Sequence, residues 1–278
     1  GLISAFGTMS KPLQVGKAAS NGVLSALLAQ RGFTGPSEVL EDKNGFLYAT
    51  SKDCNPLKIV DGLGGSFRIM DTAYKVHASC GHSHGAIDAV LQMKKNFGLK
   101  PDDVKEILIK TYPTARELMG RIVEPKTSHE AKFSLPYCVA AALIFGRASL
   151  EEFIPEKLSD KRVLQIAKRV KVEGDPNLTE VPLGYSEVEV VMKNGDKYTL
   201  QVSTPRGHPD NPITADEIKS KFSQMVSPVI SRKKVQEILH IVEGLEHLRD
   251  VNLLTRLLRA DRGVSTLGSS KVDRHSSP

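Results

Sequence analysis

The feature that most constrains the fold of this chain is an Asn-Gly pair, Asn194-Gly195. It separates two stretches, residues 187–193 and 197–202, in which apolar and polar side chains alternate. Alternation with a period of two is typical of strands with one buried face, and Asn-Gly is the preferred pair in hairpin turns of type I′. The sequence therefore predicts an antiparallel hairpin. Its core-facing side chains would be Val188, Val190 and Met192 on one strand and Tyr198, Leu200 and Val202 on the other.

The rest of the chain has mostly helical patterns, in which apolar residues recur every three or four positions. Helices are predicted over residues 11–31, 36–41, 85–97, 134–145, 160–169 (capped by Ser159), from a Thr214–Glu217 capping box, from about 234, and over 251–259. One further strand is predicted over residues 104–112. Gly16 and Gly22 each cost the first helix about 1 kcal/mol relative to alanine, which indicates close packing of its backbone against another element or a ligand.

The order of these elements is helical, then mixed, then helical. It predicts a protein that is mainly α with an α+β domain inserted into a helical one. The boundaries we expect are residues 1–70 and 207–260 for the helical parts, and residues 71–206 for the α+β domain. Residues 261–278 are polar and rich in serine, and we expect a disordered tail there.

The charge of the chain limits the kinds of partner. There are 38 Lys+Arg against 32 Asp+Glu, a net charge of +6, with 5% aromatic residues and no Trp. Because basic residues are mixed with acidic ones and no aromatic stacking platform accompanies them, we expect no nucleic-acid partner. The excess suits a small anionic substrate, and it equally suits an ordinary solvated surface.

Cysteine content and hydropathy indicate in which cellular compartment the protein is expected and whether it crosses a membrane. Cys54, Cys80 and Cys138 are odd in number and widely spaced, which argues against a disulfide framework and favours a reducing, cytoplasmic setting. No apolar run approaches the roughly 20 residues of a membrane-spanning helix, so we expect no membrane partner.

Three segments carry residues suited to chemistry. Lys11 lies at a predicted helix start, where backbone amides attract anions, although a solvated lysine is the simpler interpretation. His129 and Lys132 precede the apolar helix at 134–145, where caps and surface charges are the usual role. The richest segment, residues 75–88, holds a lysine, a cysteine and three histidines at a helix N-terminus.

That segment allows several interpretations. His84 and Asp88 are one helical turn apart and suit a metal-ligand pair or a hydrogen-bonded pair. Histidine also suits acid–base chemistry on an anionic substrate, with lysine holding carboxylates. Cys80 is a possible nucleophile, but no base is identified near it. A solvated histidine-rich loop is the remaining interpretation.

Four stretches, taken in order, resemble the MmgE/PrpD family, which includes 2-methylcitrate dehydratase and cis-aconitate decarboxylase. They are AFGTMSKPLQVGKAASNGVLSALLAQRGFTGP, residues 75–89 with CGHSHGAIDA, HEAKFSLPY, and GHPDNPITADEIKSKF. The resemblance implies a large helical domain, incomplete here, interrupted by a smaller α+β lid. Family members have a long helical region before GTMSKPL, so we expect this chain to be the C-terminal portion of a longer enzyme or one half of a split gene, with an N-terminal helical partner chain.

The resemblance also implies roles for residues. Lys11 matches an active-site lysine, Lys75 a second basic residue at the lid boundary, and His84 the histidine before the Ile-Asp pair; these three are the predicted catalytic residues. The predicted substrate-binding residues are Lys11, Lys75, Cys80, His82, His129 and Lys132. Gln14 departs from the family pattern, in which histidine is common.

The first functional interpretation is therefore a hydro-lyase of the 2-methylcitrate dehydratase type. It would act on a small tricarboxylic acid without a metal or other cofactor, as a homodimer. The alternatives are a decarboxylase of the cis-aconitate type, an epimerase of a small dicarboxylate, and a catalytically incomplete chain that needs its N-terminal partner.

Overall fold

The computed structural model of the chain describes residues 2–5 and 8–261. The chain divides into two units, residues 1–72 and the residues from Ala73 onward. The α-helices of the described residues are α1 (Ser10–Gln30), α2 (Phe46–Thr50), α3 (His84–Phe97), α4 (Pro113–Met119), α5 (Ser128–Lys132), α6 (Leu135–Phe145), α7 (Pro155–Leu158), α8 (Lys161–Ala167), α9 (Ala215–Val226), α10 (Arg232–Glu243) and α11 (Asn252–Leu257). The strands are β1 (Val104–Thr111), β2 (Val170–Gly174), β3 (Ser186–Met192) and β4 (Lys197–Val202). The described residues are mainly helical and contain one mixed sheet, which agrees with the predicted fold class, mainly α with an α+β domain. The predicted tail lies, apart from residue 261, outside the described residues.

The first unit has one long helix and little else. The predicted helix over residues 11–31 is confirmed as α1, but none of its residues is buried. The expected close packing of Gly16 and Gly22 against another element is not found among the described residues, where a Cβ at either position would have no atom within 4 Å; packing against a ligand stays a prediction. The predicted helix over residues 36–41 is also wrong: these residues form turns, and the helix begins at Phe46.

The second unit is built on a four-stranded sheet in the order β2-β1-β3-β4. β1 pairs in parallel with β2 and antiparallel with β3, and β3 pairs antiparallel with β4. The predicted strand at 104–112 and the predicted hairpin are confirmed. Sequence patterns missed β2, a five-residue edge strand with one buried residue, Val170, because so short a segment gives little periodicity.

The hairpin turn differs from the predicted type. A type I′ turn needs positive φ at both central residues, and in the described part of the chain only glycines have positive φ. Gly195, at φ 96°, donates its amide to the Met192 carbonyl at 3.0 Å. Gly195 therefore occupies the left-handed position of a G1 bulge, after a turn whose central residues have negative φ. The strand register still places Val188 opposite Leu200.

The core of the second unit lies between this sheet and the helices α3, α6 and α8. Nine of the eleven residues of α6 are buried, as its apolar sequence predicts. Val188 and Val190 are fully buried beneath α3, and Phe97 stacks on Tyr198 with ring centroids 4.6 Å apart. Asp160, rather than the predicted Ser159, caps α8, because its carboxylate reaches the Arg162 amide.

The last three helices form a small cluster of their own around Ile230, Val235 and Ile238. The predicted capping box is confirmed: Thr214 and Glu217 bond each other's backbone amides at the start of α9. The assignment of residues 207–260 to a helical domain separate from 71–206 stays a prediction. Within the described ranges, no helix is long and apolar enough to cross a membrane.

Candidate functional site

The predicted histidine-rich segment begins the second unit and is held in place mainly by its backbone. The Tyr74 amide donates to the Gly207 carbonyl at 2.7 Å, and the Cys80 amide donates to the Lys132 carbonyl at 3.0 Å. Gly207 has φ 93°, and a Cβ there would lie 2.0 Å from the Tyr74 carbonyl oxygen. The backbone at the start of the segment therefore packs closely against the backbone of the loop that precedes α9.

His77 and Asp88 form a buried pair at the centre of the segment. His77 Nε2 lies 2.8 Å from Asp88 Oδ1, and the side chains are 7% and 10% exposed. The second carboxylate oxygen accepts the Arg206 amide at 2.9 Å. The suggested hydrogen-bonded pair of His84 with Asp88 is therefore corrected: the carboxylate on α3 binds the histidine eleven residues before it.

His84, the predicted catalytic histidine, is buried at the first residue of α3. Its ring packs edge-on against His77, with centroids 5.1 Å apart. Its Nε2 has no hydrogen-bond partner among the residues that the structure describes. Burial, followed by the proximity of His77, lowers the pKa of His84 to about 4; Asp88 and the Ser79 backbone oppose this. The ring is consequently neutral near pH 7 and offers a lone pair rather than a proton.

Lys75 is exposed, and its ammonium group donates to the Ser79 carbonyl at 3.3 Å. Lys221, on α9, donates to the Lys75 carbonyl. Burial lowers the pKa of Lys221, and the charge of Lys75 lowers it further. Two cations therefore lie near the histidines, and the second was missed because it is 146 residues away in sequence.

His82 is hydrogen-bonded to Tyr112, at the end of β1, through its Nδ1. The Tyr112 hydroxyl also accepts the Gly184 amide at 3.1 Å. Burial raises the pKa of Tyr112, so the phenol stays neutral near pH 7. Tyr112 was not predicted as a site residue, since nothing in the strand sequence distinguishes it from a core tyrosine.

The remaining predicted residues lie around this cluster or in the other unit. Cys80 is half-buried beside the end of α5, which carries Lys132 and an exposed His129. Lys11 lies at the start of α1, in the first unit. Their predicted roles stay predictions. Among the described residues, no three His, Cys, Asp or Glu side chains cluster closely enough to hold a metal ion.

Two clefts open beside the cluster. One, of about 460 Å³, lies between α9 and the turn that follows α6, and Lys221 and Ser149 are among its lining residues. The other, of about 390 Å³, includes Asp88 in its lining. His77 and Arg206 line both clefts. The two clefts are thus lined by ionisable and basic side chains, among them His77, Lys221 and Arg206.

Comparison with known proteins identifies the class. The model of the MmgE/PrpD C-terminal domain matches residues 77–247, and that of the MmgE/PrpD N-terminal domain matches residues 1–57. The chain belongs to the MmgE/PrpD family.

Named relatives come from two groups of lyases. The chain is 27% identical to cis-aconitate decarboxylase of Mus musculus over 92% of its length and 54% of the relative's. It is also 27% identical to cis-aconitate decarboxylase of Homo sapiens, over 91% of its length and 53% of the relative's. Identity to mitochondrial 2-methylcitrate dehydratase of Yarrowia lipolytica is 24%, over 72% of the chain and 41% of the relative. The chain spans about half the length of the curated relatives it matches.

Proposed function

We propose that this protein takes part in a lyase reaction of the cis-aconitate decarboxylase type, acting on a small unsaturated tricarboxylate. The observation that carries the proposal is the extent of the similarity. Relatives named as cis-aconitate decarboxylases match 91% to 93% of the chain, and dehydratases match 61% to 72%. The comparisons thus favour the decarboxylase alternative over the dehydratase that was the first interpretation of the sequence.

The chemistry sets three requirements. The bond from a methylene carbon to its carboxylate breaks, and that electron pair forms a new carbon–carbon double bond. The pair of the former double bond then takes up a proton at the far carbon, and CO₂ leaves. Such a site must hold the two remaining carboxylates with cations, supply one proton, and let the neutral CO₂ leave.

Residues of the site support these roles. Lys75 and the nearby Lys221 offer cations for carboxylates, and Lys11 stays a predicted third. His84 is neutral near pH 7 because burial lowers its pKa to about 4, so in this proposal it accepts a hydrogen bond and does not deliver the proton. Small-acid recognition, a homodimer, an N-terminal helical partner chain and a cytoplasmic location remain parts of the proposal.

An activity screen tests it. The full chain, alone and with a candidate N-terminal partner chain, is incubated with cis-aconitate, 2-methylcitrate and citrate, and products are followed by NMR. We expect CO₂ loss from cis-aconitate that persists in EDTA. Lys75→Ala should raise KM at least about tenfold by removing a charge-assisted carboxylate contact, whereas Lys105→Ala, an exposed lysine of β1, should leave KM unchanged. An unaltered KM in Lys75→Ala would remove Lys75 from the site.

Dehydration is the second candidate, since dehydratase relatives match part of the chain. It needs the same cations, together with a base for a proton next to a carboxylate and an acid for the departing hydroxyl. Turnover of 2-methylcitrate without turnover of cis-aconitate would select it and reject decarboxylation.

A further inference from the structure

His77 has a position that the family resemblance did not assign. Its ring is buried, yet it lines both clefts beside the cluster. Asp88 binds its Nε2, and the groups around the two side chains are His84, Lys75 and the Arg206 backbone. A buried imidazole with a carboxylate on one nitrogen and a cleft beside it has the arrangement of an oriented acid–base group.

We infer that His77 is a further acid–base residue of this site and that Asp88 is its positioning residue. The inference rests on the proposed lyase function for its chemistry, and on the hydrogen-bond geometry for the pairing.

The carboxylate determines which ring nitrogen reacts. An ionised carboxylate only accepts hydrogen bonds, so in the neutral ring the proton lies on Nε2, towards Asp88. Nδ1 is then the nitrogen that takes up and releases a proton. Asp88 itself is fixed, because one oxygen binds His77 at 2.8 Å and the other binds the Arg206 amide at 2.9 Å.

His77 fits the proton-delivery step better than His84 does. With a pKa of about 4, His84 is not in its imidazolium form at neutral pH. His77 is hydrogen-bonded through Nε2 to the Asp88 carboxylate, which orients its ring for proton transfer. In the decarboxylation, the charged His77 transfers its Nδ1 proton to the carbon that receives the former double-bond pair. The ring returns to the neutral Nε2–H form, and water in the cleft reprotonates it.

The pairing is tested without any substrate. The full chain, labelled with ¹⁵N-histidine, is examined by long-range ¹H–¹⁵N NMR at mildly alkaline pH. We expect the Nε2–H tautomer in the natural sequence and a shift towards Nδ1–H in Asp88→Asn, with no change in His240→Gln, an exposed histidine of α10. An Nδ1–H tautomer in the natural sequence, or the same tautomer in Asp88→Asn, would overturn the positioning role.

The catalytic role is tested with cis-aconitate in the preparation that turns over. General acid–base residues contribute about 10²- to 10⁴-fold, so His77→Gln should lower kcat at least about 100-fold with KM nearly unchanged. Asp88→Asn should lower kcat less, and Asp88→Glu should recover part of the loss. If Asp88→Asn does not fold, the kcat of His77→Gln, in which Asp88 is intact, decides the catalytic role of His77.

The two failures are distinguishable. An unchanged kcat in His77→Gln, with the tautomer as expected, would reject the catalytic role and leave a structural pair. The absence of turnover with all three acids would reject the proposed function and with it the catalytic role, while the tautomer still decides the role of Asp88.

Discussion

The central helices of the second unit and the long helix of the first unit are buried to very different extents. In the second unit, seven of the fourteen residues of α3 and nine of the eleven residues of α6 are buried. In the first unit, α1 is longer, at 21 residues, and none of them is buried. Val15, Val23 and Leu27 of its predicted apolar stripe are 70%, 64% and 53% exposed. A helical pattern alone therefore does not establish a core; an apolar face contributes stability only where other side chains cover it.

Hydrogen exchange should show the largest difference between the units. Amides of core elements exchange only through opening that approaches global unfolding, whereas uncovered helices open locally at little cost. In the full chain, we expect amides of α6 and β3 to exchange orders of magnitude more slowly than those of α1. Equal protection of α1 and α6 would break the comparison and show that α1 is covered.

Matched leucine substitutions on α6 and α1 measure the same difference in burial as a free energy of unfolding. Leu143 on α6 is fully buried, and Leu27 on α1 is 53% exposed. Leu143→Ala should lower the free energy of unfolding by about 2–5 kcal/mol through lost burial and a cavity. Leu27→Ala should change it by less than about 0.5 kcal/mol. Urea unfolding of the full chain measures both, and similar losses in the two variants would contradict the burial difference.

The buried His84 should make the stability of the second unit depend on pH. Its pKa is about 4 in the folded chain and about 6.5 when unfolded, so the unfolded state binds more protons between these values. Stability is fully present above pH 6.5, falls as the pH decreases towards 4, and loses about 3 kcal/mol in all.

Unfolding at pH 7 and pH 5 in His84→Gln and in the exposed His240→Gln checks this expectation. The first variant should lose part of the pH dependence, and the second should keep it. An NMR titration midpoint of His84 near 6.5 would disprove the expectation.

Two glycines provide the smallest effects, and these should have opposite signs. Gly207→Ala places a Cβ 2.0 Å from the Tyr74 carbonyl at a positive φ and should destabilise the second unit by about 1–3 kcal/mol. Gly16→Ala, on α1, meets no atom of the described residues within 4 Å and should stabilise that helix by up to about 1 kcal/mol. Circular dichroism during thermal unfolding follows both, and a destabilising Gly16→Ala would indicate that α1 is closely packed after all.

The sequence by itself determined the elements whose signals are local. The α9 capping box, the apolar α6 and the alternation of β3 and β4 were all predictable, because caps and periodicities act within a few residues. The turn at Asn194-Gly195 was predictable as a turn but not as a type, since strand pairing on either side decided its geometry. The same locality explains why the parallel edge strand β2 was missed: its partner lies more than fifty residues earlier.

Only the tertiary structure decided how the site is assembled. The segment 75–88 was recognisable from its histidines, yet helical spacing favoured His84 as the partner of Asp88, and the fold gave that role to His77. Lys221 and Tyr112 were not predictable as site residues because they are 146 and 30 residues from the groups they bind. The low pKa of His84 has the same origin: burial sets it, and burial depends on side chains brought together from the whole unit.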